Sequence, residues 1–280
     1  MNEESGKSWY GIRLDNTLLE ADAKKSMRVF ASIGNRVEAE SARIDNVYRK
    51  ITSSIAAVGG TLAFSALVKD LYTFSNEFSK SMREVTTISE TVENDLEGYK
   101  EKIISLTTQI PVAARESAKA LYQIVSAGHD GADGMKILEV SAKAAVGGIT
   151  ETATAADGIT TLLNAYKKGA SEAENVSDML FTTVRLGKTT YGELARSIAQ
   201  VAPVAASYGV EMEQVLAAVA SLTKSGTPTA QAMTQIRAAI VGASKVLGDG
   251  AFKTRTLQEA LEEVAKKSGG SESKLRELMP

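Results

Sequence analysis

The sequence has no cysteine, one histidine (His129), one tryptophan (Trp9) and only four prolines; aromatic residues make up 5% of its 280 positions. The lack of cysteine excludes disulfides and thiolate metal sites. With a single histidine, an imidazole-based catalytic group or transition-metal site would have to be completed by carboxylates alone. Charge of one sign is missing too: 32 basic residues face 34 acidic ones, for a net charge of −2. That balance gives no overall attraction to nucleic acid or anionic lipid. Acids and bases are interleaved throughout, and no Lys/Arg stripe with aromatics marks a sequence-specific nucleic-acid surface. The opening "MNEESGKSWYGIRLD" has no basic-then-apolar leader pattern, so the expectation is a cytoplasmic product unless a larger assembly carries it out. Alternating strand patterns are nearly absent; Tyr10, Ile12 and Leu14 give one short extended arm.

What is present reads as an all-α chain, rich in Ala, Leu, Glu and Lys. Phe30, Val37, Ile44, Ile51 and Val58 recur every seven residues. They form the a line of a heptad whose later d positions, Glu40, Ser54 and Thr61, are polar. This pattern predicts a long N-terminal amphipathic, coiled-coil helix over residues 1–70 that packs on another helix, and these five residues are the candidate self-association seam. Within it, residues 51–68, "ITSSIAAVGGTLAFSALV", carry no charge. They are at the lower length limit for a membrane span, but small and hydroxylated rather than Leu- and Ile-rich, which favours a buried or self-associating helix. Connecting amphipathic helices follow over 71–110, with Gly98 a weak point rather than a break.

At Pro111 the texture changes. Residues 111–245 are Ala-rich and punctuated by glycine, as in an array of helical hairpins. "VAARESAKALYQIVSAG" (Val112 to Gly128) resembles "VEMEQVLAAVASLTKSG" (Val210 to Gly226), and "ATAADGITTLLNAYKKG" (Ala153 to Gly169) is a looser third copy. Each reads as a helix of about four turns closed by a left-handed glycine, Gly128, Gly169 or Gly226, with another helix after it. Residues 246–280 read as one more helix, a Gly-Gly-Ser break and a further helix start.

Two stretches invite a chemical reading. "LGKTTYGEL" contains Gly-Lys-Thr-Thr, but the glycine that a phosphate-binding loop needs five positions earlier is Thr182. The segment before it has helical spacing (Val176, Met179, Leu180, Phe181, Val184) rather than the strand such a loop follows. The better reading is a turn, with Thr190 and Glu193 forming a capping box for the next helix. His129 stands in "SAGHDGADG" beside Asp130 and Asp133, in a composition typical of turns and lacking the alternating oxygen ligands of a calcium loop. Glu116, Glu151, Glu193 and Glu211 fall near helix starts, where carboxylates complement the dipole. Neither a catalytic site nor a cofactor or metal site is expected.

The order of these elements resembles the core region of phage tail tape measure proteins. The resemblance is carried by Ala127-Gly128, by the small-residue step from Gly148 to Ala156, and by Ala202-Pro203 followed by Gly209 and Gly226. It extends to the degraded motif Ala232-Met233-Thr234-Gln235-Ile236-Arg237, where Met233 and Ile236 replace the family's Gly and Leu, and over residues 70–280 as a whole. The resemblance implies a non-enzymatic structural protein, present in the bacterial host cytoplasm before assembly and then in the virion tail lumen. Its implied partners are further copies of itself, tail tube protein and tail assembly chaperones. It implies a length-setting role, exit ahead of DNA, and contact with the host membrane during ejection. It also implies part of a longer protein, since even a continuous helix of this length would span only about 420 Å. The alternative reading is a membrane-active helical protein, pore-forming or translocating, motivated by residues 51–68.

Overall fold

The computed structural model describes residues 75–248 and 250–269. The heptad positions Phe30, Val37, Ile44, Ile51 and Val58, the Tyr10–Leu14 arm and residues 51–68 lie outside them. The chain divides into two units, Met1–Thr73 and Phe74–Pro280, and the description concerns the second. It is all helical, and there is no strand among the described residues.

The helices are α1 (75–86), α2 (Glu90–Asn94), α3 (Leu96–Gln109), α4 (Ala114–Ser126), α5 (Gly131–Gly148) and α6 (Thr152–Ala165). They continue with α7 (Ala173–Leu186), α8 (Tyr191–Ser197), α9 (Ala202–Tyr208), α10 (Met212–Lys224), α11 (Thr229–Leu247) and α12 (Leu257–Lys267). Two 3-10 turns, Ala170–Glu172 and Ile198–Gln200, precede α7 and follow α8. Local chemistry sets several of these boundaries. Ser89, Thr190 and Thr256 each cap a helix by accepting from its third backbone N–H, and Asp95 ends α2 and caps α3 through Gly98 N–H. The sequence run 93–109 is therefore two helices rather than one, because a carboxylate at Asp95 competes for the backbone of the following turn. Pro203 sits in the first turn of α9, where its missing N–H costs nothing.

The helix order repeats. α7, α10 and α11 follow α1, α4 and α5 at an offset of 98 residues: Ala114 and Met212 open helices of equal length, and Gly131 and Thr229 open the helices after them. The stretch that forms α2 and α3 in the first module is divided differently in the second, into α8, a 3-10 turn and α9. The burial pattern keeps the same offset. Met82 and Leu180, Ile103 and Val201, Leu121 and Val219, Leu138 and Ile236, and Ala142 and Ile240 are all buried counterparts. The likeness of Val112–Gly128 to Val210–Gly226 is thus part of a larger duplicated module. The stretch Ala153–Gly169 is not a third hairpin of that kind. Its helix, α6, lies between the modules and packs on α4, α5 and α8. It can come that close to α8 because Gly158 has no side chain: a Cβ there would lie 2.7 Å from Ala195 Cβ and 2.8 Å from its Cα.

Helix ends explain the discrepancy. α4 closes with His129 N–H donating to Ile124 O and Gly128 N–H to Val125 O, and α10 closes with Thr227 N–H to Leu222 O and Gly226 N–H to Thr223 O. These are Schellman motifs with left-handed glycines, φ 93° at Gly128 and 101° at Gly226. α6 closes with the same pair of bonds, Lys168 N–H to Leu163 O and Lys167 N–H to Asn164 O. There the left-handed residue is Lys167 (φ 54°), and Gly169 has φ −81°. The left-handed cap expected at Gly169 is therefore two residues earlier, on a side chain that pays a steric penalty for it. Lys167→Gly is expected to raise stability by about 0.5–1 kcal/mol, read as a higher urea midpoint at unchanged slope.

Candidate functional site

The Gly-Lys-Thr-Thr stretch is the α7–α8 turn, and it serves as a clip. Gly187 ends α7. Thr190 and Glu193 form the reciprocal capping box. Glu193 Oε2 also accepts from Thr229 Oγ at 3.1 Å and from Thr189 Oγ at 3.3 Å; the two threonine hydroxyls are 2.7 Å apart. Lys188 N–H donates to Thr223 Oγ at 3.2 Å. The turn is thereby fastened to the α10–α11 turn through hydroxyls and one carboxylate, and the exposed Lys188 side chain takes no part.

His129 and Asp130 form a second fastening. Asn164 Nδ2 donates to Ala127 O at 2.8 Å, so its Oδ1 is left to accept from His129 Nε2 at 3.0 Å, tying the end of α4 to the end of α6. Asp130 caps α5 through Gly131 N–H at 2.7 Å and accepts from the Ser89 hydroxyl at 2.8 Å, while Ser89 itself caps α2. Asp133 lies in the first turn of α5. No group of three His, Asp or Glu side chains among the described residues is arranged to hold a metal. Glu116 sits in the first turn of α4, and Glu151 and Glu211 are cap residues without a side-chain cap bond.

A feature that the sequence did not mark lies where α4 begins and α5 ends. A cleft of about 600 Å³ is lined by Pro111, Val112, Glu116, Val146, Ile149 and Arg196, among others. Ile149 has φ 50° and ψ 55° and is 94% exposed; Val146 is 44% exposed. A β-branched residue in the left-handed region is a true outlier, because its branched Cβ crowds the following carbonyl. Glu116, Glu151 and Arg196 enter none of the ion pairs among the described residues. The cleft thus presents an apolar knob beside two carboxylates and one guanidinium, none of them in an ion pair among the described residues. Nothing local in "VGGITE" announces this, since glycine is the residue that ordinarily takes the left-handed position at a helix end.

Taken together, the described residues form an alanine-rich bundle of two like modules, fastened at its turns by hydroxyls and carboxylates. The family of phage-related minor tail proteins matches residues 100–278, and the chain belongs to that family. It is 29% identical over 198 residues to a probable tape measure protein of Clostridium phage phiCD119, covering 69% of this chain and 21% of that protein. It is 27% identical over 166 residues to the tape measure protein of Pneumococcus phage Dp-1, covering 59% of this chain and 14% of that protein. The chain therefore corresponds to a small part of the length of either relative. No solved structure matches.

Proposed function

We propose that the chain is the core-containing part of a tail tape measure protein, a non-enzymatic scaffold in the lumen of a phage tail that helps to set tail length. The observation that carries this reading is the family match from residue 100 to 278, supported by two relatives named for that role. In this reading the protein waits in the host cytoplasm with tail assembly chaperones, tail tube protein polymerises around it, and it leaves the tail before DNA, meeting the host membrane on the way. Among the described residues no helix is long and apolar enough to cross a membrane. The proposed organisation is an arm over 1–70, connecting helices over 71–110, a hairpin core over 111–245 and a C-terminal segment over 246–280.

The test is a pair of in-frame deletions in the full-length phage gene, one removing codons 173–247 and one removing half as many. Electron microscopy is expected to show tails shortened in the order of the deletions. Infectious particles with tails of unchanged length would overturn the reading.

The arm is proposed to align parallel copies through Phe30, Val37, Ile44, Ile51 and Val58. Val37→Asp together with Ile44→Asp is expected to abolish concentration-dependent self-association by placing unpaired charge in the seam. Analytical ultracentrifugation measures this, and association untouched by the double substitution places the contact elsewhere.

A further inference from the structure

The duplication shows what the cleft at Ile149 is built to hold. At the 98-residue offset, Glu116 corresponds to Gln214, Val146 to Ser244 and Ile149 to Leu247. In the second module that place is occupied. Gln214 Oε1 accepts from the backbone N–H of Leu257, the first residue of α12, at 2.7 Å. Leu257 is buried, Ser244 is buried, and Leu247 is half-buried and packed on the core. The N-terminal turn of a helix therefore sits where α10 begins and α11 ends, with a side-chain oxygen receiving one of its orphan N–H groups.

In the first module the matching place, where α4 begins and α5 ends, stands open. Its own following helix cannot close it. α6 starts after only the three residues Ile149–Glu151, whereas the nine residues Gly248–Thr256 let α12 turn back across α11. The apolar positions are left in solvent, with Val146 44% and Ile149 94% exposed. The acceptor also differs. A carboxylate, Glu116, replaces the neutral amide of Gln214, while Glu151 and Arg196 add one charge of each sign at the rim. The change from Gln214 to Glu116 favours the positive end of a helix dipole over a neutral or acidic group.

We propose that this cleft is a docking site for the N-terminal turn of an amphipathic helix from another protein molecule. That helix carries an apolar residue at its first position and no acidic side chain in its first turn. Glu116 accepts the helix's first backbone N–H groups, and Ile149 and Val146 cover its apolar anchor. The left-handed conformation of Ile149 holds the knob out toward the incoming turn, so strain in the free protein is exchanged for contact in the complex. The proposal stands on the duplication and does not depend on the tail reading.

The probe is an acetylated, fluorescent peptide of residues 256–268 carrying E259Q, E262K and E263K, which keeps the α12 apolar face and capping pattern but removes its acids. Fluorescence anisotropy with the full chain is expected to show saturable binding, at least tenfold weaker with Glu116→Lys and weaker again for the unsubstituted acidic peptide. Ile149→Gly is expected to weaken binding several-fold while raising the urea unfolding midpoint, a pair of opposite changes that simple loss of folding cannot produce. Gln214→Ala is expected to leave peptide binding unchanged. Three results would overturn the proposal: no saturation at millimolar peptide; binding indifferent to both Glu116→Lys and Ile149→Gly; or binding altered by Gln214→Ala, which would place the peptide in the α12 seat.

Discussion

Gly158→Leu is expected to lower the stability of the helical unit by more than about 3 kcal/mol, the upper range for overpacking a filled interior. The cause is the approach of α6 to α8. A Cβ at residue 158 already falls 2.8 Å from Ala195 Cα, and that atom moves only if α8 moves. α8 in turn is held by the capping box at Thr190 and by the Glu193 hydroxyl cluster, so the whole bundle has to open. Gly158→Ala should cost less, because alanine recovers about 1 kcal/mol of helix propensity against the same clash. The control is Gly169→Ala. There φ is −81° and a Cβ meets nothing closer than Ser171 Oγ at 3.8 Å, so the expected change is within about 0.5 kcal/mol. Urea unfolding followed by circular dichroism decides the matter. Equal midpoints for the two alanine variants would contradict the close α6–α8 packing.

The second large effect is alkaline. Tyr191 is fully buried, and burial, with a smaller contribution from Asp178 and against a hydrogen bond from Ser177, pushes its phenol up to about 12. Burial also raises Tyr166, with Glu211 and Glu213 adding to it. In the unfolded chain a tyrosine titrates near 10. Between those values the unfolded state has released a proton that the folded state retains, so raising the pH favours unfolding. The stability tied to Tyr191 is fully present below pH ~10 and is lost as pH rises toward ~12, amounting to about 2–3 kcal/mol. Tyr191→Phe should remove the Tyr191 share of that slope and leave the share of Tyr166. It should cost little at neutral pH, since the contact to Ser177 Oγ is long at 3.4 Å. Urea midpoints across this range test it, and an unchanged slope in Tyr191→Phe would locate the alkaline lability elsewhere.

Some of this architecture is legible in the sequence because its causes are local. Thr190 and Glu193 stand three apart and form the capping box that the spacing announces. Gly128 and Gly226 carry their helix ends because only glycine takes φ near 100° without strain. Where a side chain with a Cβ takes the left-handed position, as at Lys167 and Ile149, the signal is lost, and tracking glycines slips the boundary to Gly169. The duplicated module is harder to see because it is preserved as burial rather than identity. Met82 and Leu180, or Ala142 and Ile240, share a place in the core while differing in shape. The cleft was not legible at all. It arises from two helix ends brought together by the fold, and its character rests on how short the α5–α6 connection is. The close approach of Gly158 to Ala195 is likewise a tertiary fact, invisible in a helix that reads as merely alanine-rich.

The pair formed by Phe181 and Tyr191, with ring centroids 4.7 Å apart and planes tilted by 45°, has an optical consequence. The helical modules contain no tryptophan, the chain's one being Trp9. Their near-ultraviolet dichroism must come from tyrosine, and Tyr191, fixed against a second ring in an asymmetric and dry setting, should dominate that band. A thermal melt recorded by dichroism at tyrosine wavelengths therefore reads the loss of packing around Tyr191 and Phe181 in particular, rather than the loss of helix.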